Sequence, residues 1–318
     1  MVWVQQVYLR DIPVKLNSEF EIIRKYLSDI GTSYNKSNGI KLGVGDDCFI
    51  INHNKELLIS SDTSVVGRHF PRTLNPCYIA YRSCSSALSD LAAMGAKPIA
   101  FSLTISVPQS NQKFFRGFKK GLRDFSQDYC IGLIGGDLVK GQLQISVTVY
   151  GVPEKNILLR SGARLGDLVY LSGPLGQGYM GLKRYKKSRA LNKTTRHYLK
   201  PEAQIEYGLL ISDYASSATD ISDGLIQDLM NICKNSGVGF NLDDTVLPIA
   251  SGLSKKQALT CGDDYQLIYT VPKKNIQLID KLLNKKGLNF YNIGEITKSG
   301  YKINNKLVSN FQGYNHFT

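Results

Sequence analysis

The sequence has no uninterrupted apolar run of the roughly 18 residues that a membrane-spanning helix needs. Its first residues, MVWVQQVYLRD, lack the basic head, long apolar segment and small-residue cleavage site of a secretory signal. The six cysteines are scattered, and none belongs to a C-x-x-C pair or lies beside a histidine cluster. We therefore expect a cytoplasmic protein with reduced thiols, and neither a disulfide framework nor a zinc site.

Acidic residues are the scarcer charged class, with 26 Asp and Glu against 39 Lys and Arg and a net charge of +13. A basic balance makes nucleic acid the first partner to consider. The positive charge is densest over residues 183–200, yet no helix-turn-helix, zinc finger or aromatic RNA-binding strand accompanies it. Because charge runs are usually solvated faces, nucleic acid is not the expected partner. A protein that binds nucleic acid or an acidic surface through residues 183–200 stays open as an alternative.

The length of 318 residues suffices for two domains. Apolar periodicity and capping residues predict helices over 17–30, 76–94, 111–127, 176–187, 202–213 and 273–286 with another after Asp223, and strands over 98–107, 143–151, 167–173, 238–243, 265–271 and 289–296. Two further apolar segments, 48–52 and 56–61, flank a polar turn and predict a β-hairpin. The mixed order predicts an α+β (mixed α/β) protein with domains at 16–151 and 152–318.

Six short segments share one pattern, an aspartate beside Gly, Ser or Thr at the edge of an apolar run. They are GDD (45–47), SSDT (60–63), SDL (89–91), GGD (135–137), DISDG (220–224) and a second GDD (262–264). Each alone is typical of a turn or a helix cap. Carboxylates and hydroxyls are, however, the hard oxygen donors that Mg²⁺ prefers, and clustered carboxylates repel one another unless cations neutralise them. The set therefore predicts a site for several Mg²⁺ ions and a polyphosphate.

A glycine-rich segment, GPLGQGYMG (173–181), lies between a predicted strand and a predicted helix. Backbone amides at a helix N-terminus bind anions, so the segment is a candidate phosphate site, with a plain strand-to-helix turn as an equal alternative. It is neither a Walker loop nor a G-x-G-x-x-G motif. Arg160 is a candidate phosphate clamp because its planar guanidinium can bond two oxygens.

These segments, in this order, resemble the thiamine-monophosphate kinase family of the aminoimidazole ribonucleotide synthetase superfamily. The matching text is GVGDDCFI (43–50), ISSDTSVVGRHF (59–70), LSDLAAMGAKP (88–98), IGGDLVKG (134–141), RSGARLGDLVYLSGPLG (160–176), DISDGLIQDL (220–229), LTCGDDYQLIYTVP (259–272) and GYNHF (313–317). The resemblance implies transfer of the γ-phosphate of ATP directly onto thiamine monophosphate, giving thiamine diphosphate. It also implies the two-domain fold of that superfamily. In that fold the N-terminal sheet domain binds metal and ATP and pairs into a homodimer, and the C-terminal α/β domain closes the active site.

The resemblance assigns roles position by position. The positions that bind Mg²⁺ in the family are Asp47, Ser60, Ser61, Asp62, Asp90, Asp137, Asp220 and Asp223. The positions that contact ATP are Gly136, Asp137, Arg160 and Ser222, and those that contact thiamine monophosphate are His69, Asp263 and Tyr314. The acceptor phosphate is already anionic, so no side chain is expected to act as a general acid or base.

The sequence also departs from the family pattern. The departures are Asp263 and Gln266 where the family has glutamate, Ala87 where it has asparagine, and Leu138 and Lys140 in the GGD segment. A degenerate protein that only binds thiamine phosphates, or another ATP-using enzyme of the superfamily, therefore stays an alternative. Selenophosphate synthetase is disfavoured because no cysteine precedes Cys48. The first 13 residues match nothing in the family, and Val14 is a candidate alternative start.

Overall fold

The computed structural model describes residues 18–189 and 191–308, which form two compact units. In the described part, the first unit comprises residues 18–88 and 98–152, and the second comprises 89–97, 153–189 and 191–308. Both units combine helices with a β-sheet, which confirms the predicted α+β class. Within these ranges, no helix is both long enough and apolar enough to cross a membrane.

The first unit carries three helices and six strands in its described part, apart from residues 89–97, which end one of these helices, begin one of these strands and belong to the second unit. Their bounds are α1 Glu19–Ile22, continued by a π-helical turn Ile23–Leu27, β1 Ile40–Leu42, β2 Ile50–Ile51, β3 Leu58–Val65, α2 Pro76–Ala93, β4 Ala96–Val107, α3 Gln112–Tyr129, β5 Gly132–Lys140 and β6 Gln144–Pro153. Local signals explain α2, because the Asn75 side chain accepts a hydrogen bond from the Cys77 N–H and Gly95 follows the helix with a φ of 66°. The sequence predictions of α2, β4, α3 and β6 are confirmed.

Four strands form the main sheet of this unit, in the order β3-β6-β4-β5. The predicted hairpin of residues 48–52 and 56–61 is wrong, because β2 pairs with β1 whereas β3 pairs antiparallel with β6. Matching hydroxyls explain the partner of β3: Ser61 bonds Thr148 at 3.0 Å and Thr63 bonds Ser146 at 2.8 Å across the two strands.

The two faces of this sheet differ in character. Helix α3 covers one face, where the rings of Phe101 on β4 and Phe125 on α3 meet edge to face at 5.3 Å. The other face carries hydroxyl side chains from three adjacent strands. They are Ser61 and Thr63 on β3, Ser146, Thr148 and Tyr150 on β6, and Ser102, Thr104 and Ser106 on β4.

The second unit carries six helices and seven strands within its described residues. Their bounds are β7 Leu168–Leu171, α4 Gln177–Ser188, α5 Lys193–Leu199, α6 Ile205–Ile211, β8 Ser217–Asp220, α7 Leu225–Ser236, β9 Gly239–Leu242, α8 Lys255–Thr260, β10 Leu267–Val271, α9 Ile276–Lys285, β11 Tyr291–Thr297, β12 Tyr301–Ile303 and β13 Lys306–Leu307. The strands form one sheet in the order β13-β12-β9-β11-β7-β10-β8.

Alternate residues of the central strands of this sheet enter two different cores. Val169, Leu171 and Ile268 pack with residues of α7 and α8, whereas Tyr170, Leu267 and Tyr269 pack with residues of α6 and α9. Because both faces are covered, β7 and β10 are continuous apolar runs. The ends of β7 and β8 and the loop before β10 carry the polar residues described next.

Candidate active site

In the first unit, the loop of Asp46 and Asp47 is attached to β5 by an aromatic residue. The Phe49 ring lies 2.9 Å from the point where a Cβ on Gly135 would sit, and it meets Tyr150 edge-on at 5.4 Å. The Asp46 carboxylate accepts the Asp47 N–H at 2.8 Å, and both side chains are exposed. Phe49 thereby brings the first acidic segment beside the GGD segment of β5.

The GGD segment needs its second glycine for close packing of two strands. Gly136 has a φ of 140°, and a Cβ there would lie 2.0 Å from the Leu103 carbonyl oxygen on β4. Asp137 follows it, exposed, with its carboxylate accepting the Leu138 N–H at 2.8 Å. The strand therefore presents an exposed carboxylate next to backbone that lacks side chains.

On β3 the three predicted metal residues do not share a face. Ser60 and Asp62 alternate with Ser61, whose hydroxyl lies on the opposite face and bonds the Thr148 hydroxyl. An ion bound at the Asp62 carboxylate is therefore out of reach of the Ser61 hydroxyl. Ser60 and Asp62 remain together as oxygen donors.

Asp62 and Asp137 lie on the two outer strands of the four-stranded sheet. Three spacings between neighbouring strands separate β3 from β5, which amounts to about 14 Å. An Mg²⁺ ion holds its ligands at about 2.1 Å, so these two aspartates of one chain are too far apart to bind the same ion.

His69 lies in a tight turn after β3. Its Nδ1 accepts the Val65 N–H at 2.9 Å, and the Gly67 N–H bonds the carbonyl of buried Phe70 at 2.8 Å. Because Nδ1 is an acceptor, the proton of the neutral imidazole is on Nε2, which makes Nε2 a hydrogen-bond donor.

In the second unit, the predicted ligands lie at the ends of elements. Asp90 is half-buried in the last turn of α2, where its carbonyl accepts the Met94 N–H at 3.2 Å. Asp220 ends β8 and is 3% exposed. Arg160, exposed, donates from Nε to the Thr219 hydroxyl at 3.3 Å, so its guanidinium lies against β8.

The loop that carries Ser222 and Asp223 is held by another carboxylate. Buried Asp228, on α7, accepts the N–H groups of Asp223 at 3.2 Å and of Gly224 at 3.1 Å. Burial raises the pKa of Asp228 to about 7, and the neighbouring Asp223 carboxylate raises it as well. Sequence reasoning did not select Asp228, since nothing around an aspartate in a helix indicates which amides it bonds.

The loop of Asp263 lies against the loop of Ser222. The Asp263 N–H donates to the Ser222 carbonyl at 2.9 Å, and a Cβ on Gly262 would lie 1.9 Å from the same oxygen. The structure therefore brings a predicted ATP residue and a predicted substrate residue onto adjacent backbones. Gln266 accepts a hydrogen bond from the Ser172 hydroxyl at 2.9 Å, which gives this departure from the family pattern a structural role.

The glycine-rich segment already bonds a carboxyl group of the protein itself. The Asp264 carboxylate accepts the N–H groups of Gly176 at 2.5 Å and Gly178 at 3.0 Å, at the start of α4. Of the two interpretations of residues 173–181, this geometry favours a strand-to-helix turn stabilised from within. Asp264, in the second GDD segment, is a second buried carboxyl group to which the sequence analysis assigned no role.

The basic stretch forms a hairpin of α4 and α5. The rings of Tyr185 and Tyr198 lie 6.5 Å apart between the helices, and Arg184 bonds the Thr194 hydroxyl at 2.9 Å. Most of its Lys and Arg side chains are exposed. This agrees with a solvated face.

The comparisons with known proteins cover nearly the whole chain. Residues 45–153 match the family described as AIR synthase related protein, N-terminal domain, and residues 164–304 match its C-terminal domain. A thiamine-monophosphate kinase of Buchnera aphidicola subsp. Schizaphis graminum (strain Sg) is 38% identical over 322 residues, covering 94% of this chain and 99% of the relative.

The chain belongs to the thiamine-monophosphate kinase family.

Solved structures agree with this membership. The crystal structure of thiamine-monophosphate kinase from Stenotrophomonas maltophilia K279a matches with a TM-score of 0.79 and 30% identity, over 89% of this chain and 98% of that one. A structure described as AaThiL complexed with AMPPCP and TMP matches with a TM-score of 0.75 and 27% identity, over 96% of this chain and 100% of that one. The resemblance that the aspartate motifs carried is confirmed, and with it an enzyme of the kinase class.

Two further findings concern the grouping of possible metal ligands and the position of Tyr314. Among residues 18–189 and 191–308, no three His, Cys, Asp or Glu side chains are grouped closely enough to hold a metal ion. Tyr314 lies outside the described residues.

Proposed function

We propose that the protein transfers the γ-phosphate of ATP onto thiamine monophosphate, giving thiamine diphosphate, in a reaction that requires Mg²⁺. The observation that carries the proposal is the 38% identity to a thiamine-monophosphate kinase over 94% of the chain. The relative described as complexed with AMPPCP and TMP supports the pair of substrates, because AMPPCP carries the triphosphate chain of ATP.

The chemistry requires positioning and charge neutralisation rather than proton transfer. The acceptor oxygen belongs to a phosphate monoester that is anionic near neutral pH, so no base has to activate it. The obstacle is the approach of two anions in line, which cationic groups and precise orientation overcome. This accounts for a site rich in metal-binding oxygens that uses none of the four histidines as a base.

The donor set fits magnesium. The proposed ligands are the carboxylates of Asp47, Asp62, Asp90, Asp137, Asp220 and Asp223, the hydroxyl of Ser60 and the carbonyl oxygen of Ser61, with no thiolate or imidazole among them. Carboxylate and hydroxyl oxygens select Mg²⁺ over the softer transition metals. When bound, Mg²⁺ would neutralise phosphate oxygens of both substrates.

Other residues are proposed to contact the substrates directly. Gly136 has no side chain and allows the ATP phosphates to approach the backbone, while Arg160 and Ser222 offer hydrogen-bond donors to the same nucleotide. The Nε2 donor of His69 suits a phosphate oxygen of thiamine monophosphate. Asp263, and Tyr314 beyond the described residues, are proposed to contact the same substrate.

A homodimer is part of the proposal. The sheet of the first unit has a face lined by hydroxyl groups without a covering helix among the described residues, and its outer strands β3 and β5 each have one open edge there. Open edges and a half-polar face are features that a second sheet can cover. Two copies of this chain are the partner that the family resemblance implies.

The test is thiamine diphosphate formed from ATP and thiamine monophosphate with Mg²⁺, repeated with EDTA. We expect product only with the metal, and we expect Asp62→Asn and Asp90→Asn to abolish turnover while the fold is retained. Asp213→Asn is the matched control, because Asp213 is exposed and pairs with Lys155 at 2.9 Å. Normal turnover by folded Asp62→Asn would contradict the proposal that Asp62 binds Mg²⁺. Binding of thiamine monophosphate without any product would instead support the degenerate binding protein.

A further inference from the structure

The carboxylate of Asp264 joins two loops of the proposed site. Its side chain is buried, and the residue is 7% exposed. Its two oxygens accept the N–H groups of Gly176 and Gly178, so that it fills the N-terminus of α4 from within the protein. A residue so enclosed and so fully bonded does not itself contact a substrate.

The residues on either side of Asp264 have an unusual backbone. Asp263 has a φ of 68° and Tyr265 a φ of 51°, both in the left-handed region that non-glycine residues avoid. Such a backbone is strained and persists only where its surroundings hold it. Between the two, the Asp264 side chain is bonded to the amides at the start of α4.

On its other side the same loop is bonded to the loop of Ser222. The Asp263 N–H donates to the Ser222 carbonyl and the Tyr265 N–H to the Ile221 carbonyl, each at 2.9 Å. A Cβ on Gly178 would lie 2.0 Å from the Asp263 carbonyl oxygen, so α4 also limits the loop sterically. Asp263 is thus held between α4 and the end of β8.

We propose that Asp264 is a positioning residue, whose bonds to the α4 amides hold the Asp263 side chain in the orientation that contacts thiamine monophosphate. The proposal rests on the proposed function, since it takes the role of Asp263 from there. The loop of Ser222 has an anchor of its own in Asp228. Loss of the Asp264 anchor therefore affects the thiamine monophosphate side more than the ATP side.

The test is the Asp264→Asn variant, which is close to isosteric but keeps one acceptor oxygen in place of two. We expect the KM for thiamine monophosphate to rise about tenfold and kcat to fall about tenfold, while the KM for ATP stays within about twofold, because small misplacements of a contact group are costly. If Asp264 served folding alone, its replacement would not raise the KM for thiamine monophosphate more than the KM for ATP. Unchanged KM for thiamine monophosphate, or equal rises in both KM values, overturns the proposal.

Asp167→Asn is the matched control. Asp167 is 4% exposed, and its carboxylate accepts the Arg164 N–H at 3.0 Å and the Ser216 hydroxyl at 2.5 Å, away from the loops named above. We expect it to lose stability with both KM values unchanged. If it gives the same separation of KM values as Asp264→Asn, the proposal is wrong.

A second variant covers the case in which Asp264→Asn does not fold. Gly178→Ala pushes a methyl group against the Asp263 carbonyl and is expected to give the same separation of KM values. Gly239→Ala is its control, because the added Cβ would lie 2.1 Å from the Gly300 carbonyl oxygen, on β9. Wild-type kinetics in folded Gly178→Ala overturns the proposal.

Hydrogen exchange separates this proposal from the proposed function. We expect the Asp263 and Tyr265 amides to exchange at least tenfold faster in Asp264→Asn than in wild type, whatever reaction the protein catalyses. If the wild-type protein has no kinase activity but Asp264→Asn still exchanges faster, the proposed function is contradicted and the anchoring by Asp264 is not. Unchanged exchange contradicts the anchoring itself.

Discussion

A mixed dimer, in which one chain carries Asp62→Asn and the other carries Asp137→Asn, is a sharp test of the proposed site. It shows whether each active site uses residues from both chains. The two aspartates lie on opposite outer strands of one sheet, about 14 Å apart across three strand spacings. Neither can share an ion with the other inside one chain. In a symmetric dimer whose two sheets are joined at both edges, β3 of each chain would lie next to β5 of its partner, and the two aspartates would meet at each of the two seams.

The expected activity follows from counting sites. If the proposed dimer is joined at both edges, each of its two sites would take Asp62 from one chain and Asp137 from the other. A dimer with Asp62→Asn on one chain and Asp137→Asn on the other collects both changes in one site and leaves the second intact. We therefore expect about half of the wild-type activity per dimer.

The assay uses two affinity tags, so that only mixed dimers are purified, and measures thiamine diphosphate formed per dimer. The reciprocal control places both substitutions on one chain and pairs it with a wild-type chain. In that dimer each site receives one substituted aspartate, and we expect no turnover. Both homodimers of single variants should also be inactive.

The opposite pattern would refute the reasoning. If each site is built within one chain, the split dimer is inactive and the dimer with a wild-type chain keeps about half of the activity. The strand order would then still stand, but Asp62 and Asp137 would have to bind different ions or act on different phosphates. A monomeric protein would contradict the proposed homodimer before any assay.

Three further predictions concern stability and surface charge. Burial raises the pKa of Asp264 to about 7, so its carboxyl stabilises the fold fully below pH 4 and loses this contribution as pH rises through 7. In urea titrations, the wild-type free energy of unfolding minus that of Asp264→Asn should fall by about 3 kcal/mol between about pH 5 and pH 8. A difference that stays constant with pH would contradict this prediction. Gly121→Ala would bring a Cβ 2.0 Å from the Cys77 carbonyl oxygen, whereas Gly117→Ala meets a Pro76 carbon at 3.2 Å. We expect urea denaturation to give a loss of about 1–3 kcal/mol for the first and a smaller one for the second. Replacing the Lys and Arg residues of 183–200 with Gln should leave turnover within about twofold, and wild type should bind RNA only weakly, with a Kd of about 10⁻⁵ M or above at physiological salt. Nanomolar RNA binding that the substitutions abolish would give this stretch a function.

Local signals made the long helices predictable, whereas strand pairing was not. Asn75 marks the start of α2 and Gly95 marks its end, and an 18-residue amphipathic pattern indicates α3. Helices α5 and α8 have seven and six residues, too few for periodicity to stand out. The partner of β3 is β6, whose paired residues lie 79 to 93 positions further along the chain, so the nearer β2 was the wrong choice.

The same limit explains which site residues could be predicted. An aspartate between glycines and serines indicates metal or phosphate chemistry through its neighbours in sequence, and the family resemblance then assigned each one a role. Asp228 has no such neighbours, and Asp264 lies in the second GDD segment without a role of its own. What each does depends on the amides it accepts, and those of Asp264 are 88 and 86 residues away. Likewise, no spacing along the chain indicates that Asp62 and Asp137 lie at opposite edges of one sheet. Residue types indicate what chemistry is available. The order of the strands separates Asp62 from Asp137 within one chain, and the prediction for the mixed dimer depends on that separation.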